Sequence, residues 1–156
     1  MDRSFIERFE TQSGALREAI AGLSPEELRA RPIAGKWSMQ ELVTHLLDAD
    51  LVAIDRMKRV IAMHRPLLMG FDETAYVERL PYQDQDVAAA AEIFRLGRGM
   101  MAGVLKRLPD EAFDRAGVHS ENGLVTLERL IATYIAHVDH HMTFALEKRV
   151  ALGKSA

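Results

Sequence analysis

The stretch SMQELVTHLLDADLVAIDRMKRV, Ser38–Val60, decides how this chain folds. Ser38 followed three residues later by Glu41 forms a capping box: the hydroxyl accepts a first-turn N–H and the carboxylate returns to the N-cap N–H. Beyond it, Leu42, Leu46, Ala49, Ala53, Met57 and Val60 recur at helical steps along one apolar stripe. The spacing predicts a long amphipathic helix ending near Met63, because the ring of Pro66 cannot continue it. A stripe of this length requires other helices to cover it.

Those partners are legible on either side. Phe5, Phe9, Leu16, Ile20 and Leu23 predict a first helix over about residues 2–22. In LSPEEL, Ser24 is an N-cap and Pro25 takes the first helical position, predicting one short turn. A third helix is expected from Val87 to Leu108, and it contains Gly97, Gly99 and Gly103. Each glycine costs about 1 kcal/mol relative to alanine. Their spacing predicts close helix–helix approach inside the protein, with a dimer seam as the alternative. The fourth helix starts at Thr126 and runs to about Val150.

A faint internal duplication links these elements. LSPEELRARPIAGKWSMQEL (residues 23–42) and LPDEAFDRAGVHSENGLVTLERL (residues 108–130) each carry Leu, Pro, an acidic pair, an irregular stretch and a hydroxyl N-cap. Two helical hairpins with bent connectors predict an all-α fold, a four-helix bundle. Residues 64–85 join the hairpins and exceed the roughly 2–8 residues of a tight helix–helix turn. That length allows a long crossover between the second and third helices, making them parallel. Within it Leu67, Leu68, Met69, Phe71 and Tyr76 either cover the core or form a lid.

At 156 residues, 48% hydrophobic and 28% charged, the chain is expected to form one domain with a real core. A net charge of −3 gives no electrostatic reason to expect nucleic acid. No run reaches the roughly 18 apolar residues of a membrane span, and MDRSFIERFE lacks the apolar centre of a signal peptide. A cytoplasmic protein is expected. The absence of cysteine removes disulfides, zinc–thiolate sites and a protein thiol nucleophile together.

Three of the six histidines fall in IAHVDHHMTF, Ile135–Phe144. On a helical wheel, Leu127, Leu130, Ile131, Tyr134, Val138 and Ala145 define the inward face. His137 and His141, one turn apart, lie on or beside it, a spacing from which two imidazoles reach one ion. His140 turns toward the flank and reads as a rim residue. His45, at the edge of the second helix's stripe, is the candidate third ligand, the alternative being a hydrogen-bonded core histidine. Asp48 or Glu41 could accept its second ring N–H and fix the tautomer. Glu41 already has its capping role, and Asp48 reads equally well as solvated. His64 and His119 read as surface residues.

Other patterns fail. The chain has no HExxH, no Glu-x-x-His pair, no P-loop and no GxGxxG. GKWSMQELVTHLLD and GLVTLERLIATYIAHVDHH, in this order and spacing, resemble the DinB/YfiT-like superfamily of metalloenzymes. The resemblance covers about residues 5–148. It implies a four-helix bundle with a long crossover and a divalent ion held by His45, His137 and His141. It also implies dimers in many members, and chemistry that in studied relatives includes thiol-dependent S-transfer.

Three neutral imidazoles leave at least one coordination position open, the layout of a catalytic rather than a structural site. The expectation is therefore a divalent-metal-dependent enzyme, with zinc or nickel as the ion, acting on a small-molecule substrate by thiol transfer or hydrolysis. Thiol transfer would need an external low-molecular-weight thiol. The alternative is a non-catalytic, metal-containing bundle that captures a small ligand. The residues alone assign no catalytic side chain beyond the ligands.

Overall fold

The structure, a computed structural model, describes residues 2–155. Its helices are α1 (Ser4–Thr11), α2 (Ala15–Ile20), α3 (Pro25–Arg29), α4 (Met39–Ala62), α5 (Glu73–Arg79), α6 (Val87–Leu105) and α7 (Leu127–Ala151). Three short strands join them: β1 (Leu67–Leu68), β2 (Ala116–His119) and β3 (Gly123–Thr126). The four-helix bundle is built from α1 with α2, α4, α6 and α7.

The predicted caps form. Ser38 and Glu41 make the reciprocal capping box that opens α4, Ser24 and Glu27 make another at α3, and the Thr126 hydroxyl accepts from the Arg129 N–H to open α7. The first predicted helix is interrupted, since residues 12–14 tighten into a 3₁₀ turn between α1 and α2. Ser13 and Gly14 are weaker helix formers, and the Gln12 side chain is held elsewhere. Its amide donates to the Ile135 carbonyl and the Asp139 carboxylate, while its carbonyl oxygen accepts from Arg98.

Contacts fix the helix directions. Gln40, at the start of α4, donates to the carbonyls of Gln83 and Gln85 just before α6, and further along Ile54 lies against Gly97. The two helices therefore run parallel, as a long crossover requires. Against α7 the order reverses, with His45 beside His137 and Arg56 donating to the Tyr134 hydroxyl. Of the three glycines in α6, only Gly97 marks a close approach. A Cβ there would meet Ile54 Cδ1 at 3.0 Å, whereas Gly99 has open space and Gly103 faces only the end of Arg107.

The sheet is an addition to the predicted all-helical plan. β1 from the crossover pairs parallel with β2, and β2 pairs antiparallel with β3. The two connectors are thereby tied to one another. β1 is two residues long and its partner is about fifty residues away, so nothing local announces it. The β2–β3 hairpin turns at Gly123, whose φ of 68° is the left-handed conformation that glycine adopts without strain.

Two apolar clusters fill the interior. One gathers Phe9, Met57, Leu105 and Ile131, the other Leu16, Leu42, Phe94 and Val138. Between them sits Arg98, fully buried, its cation over the rings of both Phe9 and Phe94. The crossover divides its apolar residues. Leu68 is buried in the core, Leu67 and Met69 face solvent, and Phe71 packs toward α4. No helix among the described residues is long and apolar enough to cross a membrane.

Candidate metal centre

The capping box that starts α4 sets the register of the helix, and seven residues past Ser38 this places His45 inside the bundle, fully buried. On α7, Leu130, Ile131, Tyr134 and Val138 bury the inward face and carry His137 and His141 in with it, His141 buried and His137 half-buried. The three rings converge. Centroids lie 5.2 Å apart for His45 and His137, 4.7 Å for His45 and His141, and 4.5 Å for His137 and His141. The Nε2 atoms of His45 and His137 face each other at 3.3 Å.

A fourth group joins them. Glu73, the first residue of α5, brings Oε2 to 3.5 Å from His45 Nε2. One ligand-type atom from each of His45, Glu73, His137 and His141 lies within 4.8 Å of all the others. Sequence reasoning missed Glu73. It stands in the crossover in a segment with no histidine and no periodic apolar face, and only the folding of α5 onto α4 brings it to the rings.

The rings are held neutral. Burial, and then the charge of neighbouring His137, pushes His45 down to about 4. Burial and the Arg98 cation push His137 to about 4, while burial and the two other rings push His141 to about 3. Near neutral pH, each ring therefore offers a lone pair. The protein leaves much of this capacity unused, since the buried Nδ1 atoms of His45 and His141 have no hydrogen-bond partner among the described residues. Three neutral imidazoles and a carboxylate converging in a partly buried space fit the donor preferences of zinc or nickel.

The expected support for the His45 tautomer is not there. Asp48 accepts the Tyr82 hydroxyl at 2.5 Å, and Glu41 is engaged by Arg31 and the Ser38 N–H. Both carboxylates serve the crossover and the helix start instead. His140 is exposed with its ring edge toward His141, on the rim as predicted, and His64 is exposed. His119 differs from its surface reading. It is buried on β2, its Nδ1 accepting from the Glu121 N–H, because strand pairing turns it inward.

Beside the cluster opens a cavity of about 290 Å³, lined among others by Lys36, Trp37, Glu73, His141, Phe144 and Lys148. The Trp37 ring lies parallel to that of His141 at 6.5 Å, and Phe71 stacks on His45 at 6.0 Å. These aromatic walls limit water around two of the imidazoles.

The family model of the DinB superfamily matches residues 8–145. YfiT of Bacillus subtilis, provisionally named a metal-dependent hydrolase, is 24% identical over 97% of this chain and 85% of its own length. A protein of Oceanobacillus iheyensis, provisionally named in the same way, is 25% identical over 88% of this chain and 79% of its own length. The solved structure of YfiT superposes with a TM-score of 0.89, covering 97% of this chain and 87% of that one. A DinB-like protein of the same bacterium, YjoA, superposes with a TM-score of 0.70 at 16% identity, covering 98% of this chain and 94% of that one. The fold, including its crossover, is thus shared with solved proteins of low sequence identity.

Proposed function

The chain belongs to the DinB superfamily, and from that premise we propose that it is a divalent-metal-dependent enzyme acting on a small molecule, of hydrolytic or thiol-transfer type. The observation that carries the reading is the convergence of three neutral imidazoles from α4 and α7 on one partly buried point. His45, His137 and His141 would hold the ion, with Glu73 as a further donor on the solvent side. The relatives' provisional names support metal-dependent hydrolysis.

A bound divalent ion would supply Lewis acidity, lowering the pKa of a ligating water or thiol so that a nucleophile exists near neutral pH. The chain's own groups do the rest. His45 is fixed by the packing of α4, with Phe71 over its ring. His137 and His141 are fixed by α7 in a helical register that holds them one turn apart. Glu73, exposed on one side and within 3.5 Å of a site nitrogen on the other, would serve as that further donor or, when not ligating, accept a proton from the nucleophile. Trp37 and Phe144 form an apolar wall against which a small substrate can rest. With no cysteine in the chain, a thiol nucleophile must arrive as a small molecule.

Elemental analysis of purified protein tests the reading. Close to one divalent ion per chain is expected, with loss of the ion in His45→Ala, His137→Ala and His141→Ala. Wild-type protein that takes up no ion after reconstitution with zinc or nickel rejects it. Turnover of a panel of esters, amides and thiol-plus-electrophile pairs, dependent on the ion, separates an enzyme from a bundle that only captures a ligand.

A further inference from the structure

Two ammonium groups stand in the cavity beside the imidazole cluster, and the metal reading gives them no role. Lys36, from the loop before α4, and Lys148, near the end of α7, each bring Nζ to 5.8 Å from the centre of the same ring, Phe144. Both line the cavity that His141 and Glu73 also line. Lys148 is only 3% exposed, yet among the described residues neither lysine makes an ion pair. Lysine is rarely buried without a partner, because removing its charge from water carries a large desolvation cost. Of the carboxylates nearby, Glu147 lies next to Lys148 in the chain but makes no ion pair with either lysine, and two others are committed elsewhere. Glu73 is turned to His45, and Glu41 is held by Arg31 and the Ser38 N–H.

We propose that Lys36 and Lys148 form a subsite for the anionic group of the substrate, a small organic carboxylate whose apolar body lies against Trp37 and Phe144. The inference deepens the proposed function and rests on it only for the word substrate, because the subsite itself needs no ion. Two cations over one ring create a local positive field in a partly enclosed space, where a counter-charge is bound more strongly than in open water. The flat walls of Trp37 and Phe144 supply apolar contact for the remainder of such a molecule. Its position beside His141 brings the bound molecule to the imidazole cluster. A carboxylate gripped at this end would leave the remainder of the substrate to face the cluster.

The test uses metal-free full-length protein, so that a carboxylate cannot gain affinity by ligating an ion. Benzoate and its neutral isostere benzamide serve as probes, with binding followed by protein NMR shifts of residues around Phe144. Benzoate is expected to bind at least about ten-fold more tightly than benzamide, the scale of one charge-assisted hydrogen bond. The preference should fall as salt is raised and should be lost in Lys148→Met and in Lys36→Met. Lys36 is exposed, so its variant is expected to fold even if replacement at the buried position does not. Equal binding of the two probes, unchanged preference in Lys36→Met, or no benzoate binding at all overturns the subsite. Failure of the metal reading shows separately, as wild-type protein that takes up no zinc.

Discussion

The guanidinium of Arg98 and the carboxylate of Asp50 meet at 2.8 Å between α6 and α4, their side chains 0% and 3% exposed. Arg98 also donates to the carbonyls of Phe9 and Tyr134 and to the Gln12 side chain, so one cation joins α1, α4, α6 and α7. Asp50→Ala would leave that cation buried without its counter-charge, and a loss of about 3–5 kcal/mol is expected. Urea unfolding monitored by circular dichroism measures it. Adding Arg98→Met should recover only part of the loss, because the two carbonyls then lack their donor; full recovery would show that the ion pair, not the wider network, carries the effect.

Glu73 is expected to strengthen ion binding. Glu73→Ala should weaken zinc affinity at least about ten-fold, the lower end of what is lost when a group supporting a metal site is removed. Glu73→Gln, which keeps the shape, should lie between. Competition with a chromophoric chelator at neutral pH reads both. Unchanged affinity in the alanine variant would separate Glu73 from the donor set while leaving the three imidazoles in place.

Acid should destabilise the metal-free protein through its three buried rings. An unfolded histidine protonates near 6.5, whereas His45 and His137 hold out to about 4 and His141 to about 3 in the fold. Below pH 6.5 the unfolded chain therefore binds more protons than the native one. Stability from these rings is complete above that pH and declines as pH falls toward 4, by at most about 1.4 kcal/mol per pH unit for each ring. Urea midpoints between pH 7 and 5 should fall, and His141→Gln should flatten the slope. Midpoints constant over that range would contradict neutral buried rings. In the loaded protein the same protons compete with the ion, so acidification should release it.

Gly97 and Gly99 should respond in opposite ways to a side chain. Gly99→Ala meets open space and is expected to stabilise α6 by about 0.5–1 kcal/mol through helix propensity. Gly97→Val would press its branches into Ile54 on α4, where a Cβ alone already lies at 3.0 Å, and is expected to destabilise by about 1–3 kcal/mol. Thermal melting of the two variants settles the contrast. A tolerated Gly97→Val would mean that α4 and α6 can separate at little cost.

The helices were readable because their signals are local. Ser38 with Glu41, Thr126 ahead of Leu127, and apolar residues every three or four positions each act within one or two turns of chain. The meeting of His45 with His137 and His141 was readable for a related reason, since each ring rides on the buried face of a helix whose phase the apolar residues fix. What escaped depends on distant partners. Leu67 and Leu68 become a strand only when β2 arrives beside them, and Glu73 reaches the rings only through the path of the crossover. Arg98, set between two glycines in a small-residue helix, gives no sign of the buried carboxylate that neutralises it. The hairpin around Gly123 is a partial exception, because SENG between two β-forming runs is a recognised turn signal.

Ninety-two positions separate His45 from His137. During synthesis the early ring therefore waits, alone on its helix, until α7 follows it from the ribosome. A translation product cut short ahead of α7 keeps His45 but lacks both rings that meet it in the fold. Assembly of the three-ring cluster is thus a late act of maturation that waits on α7.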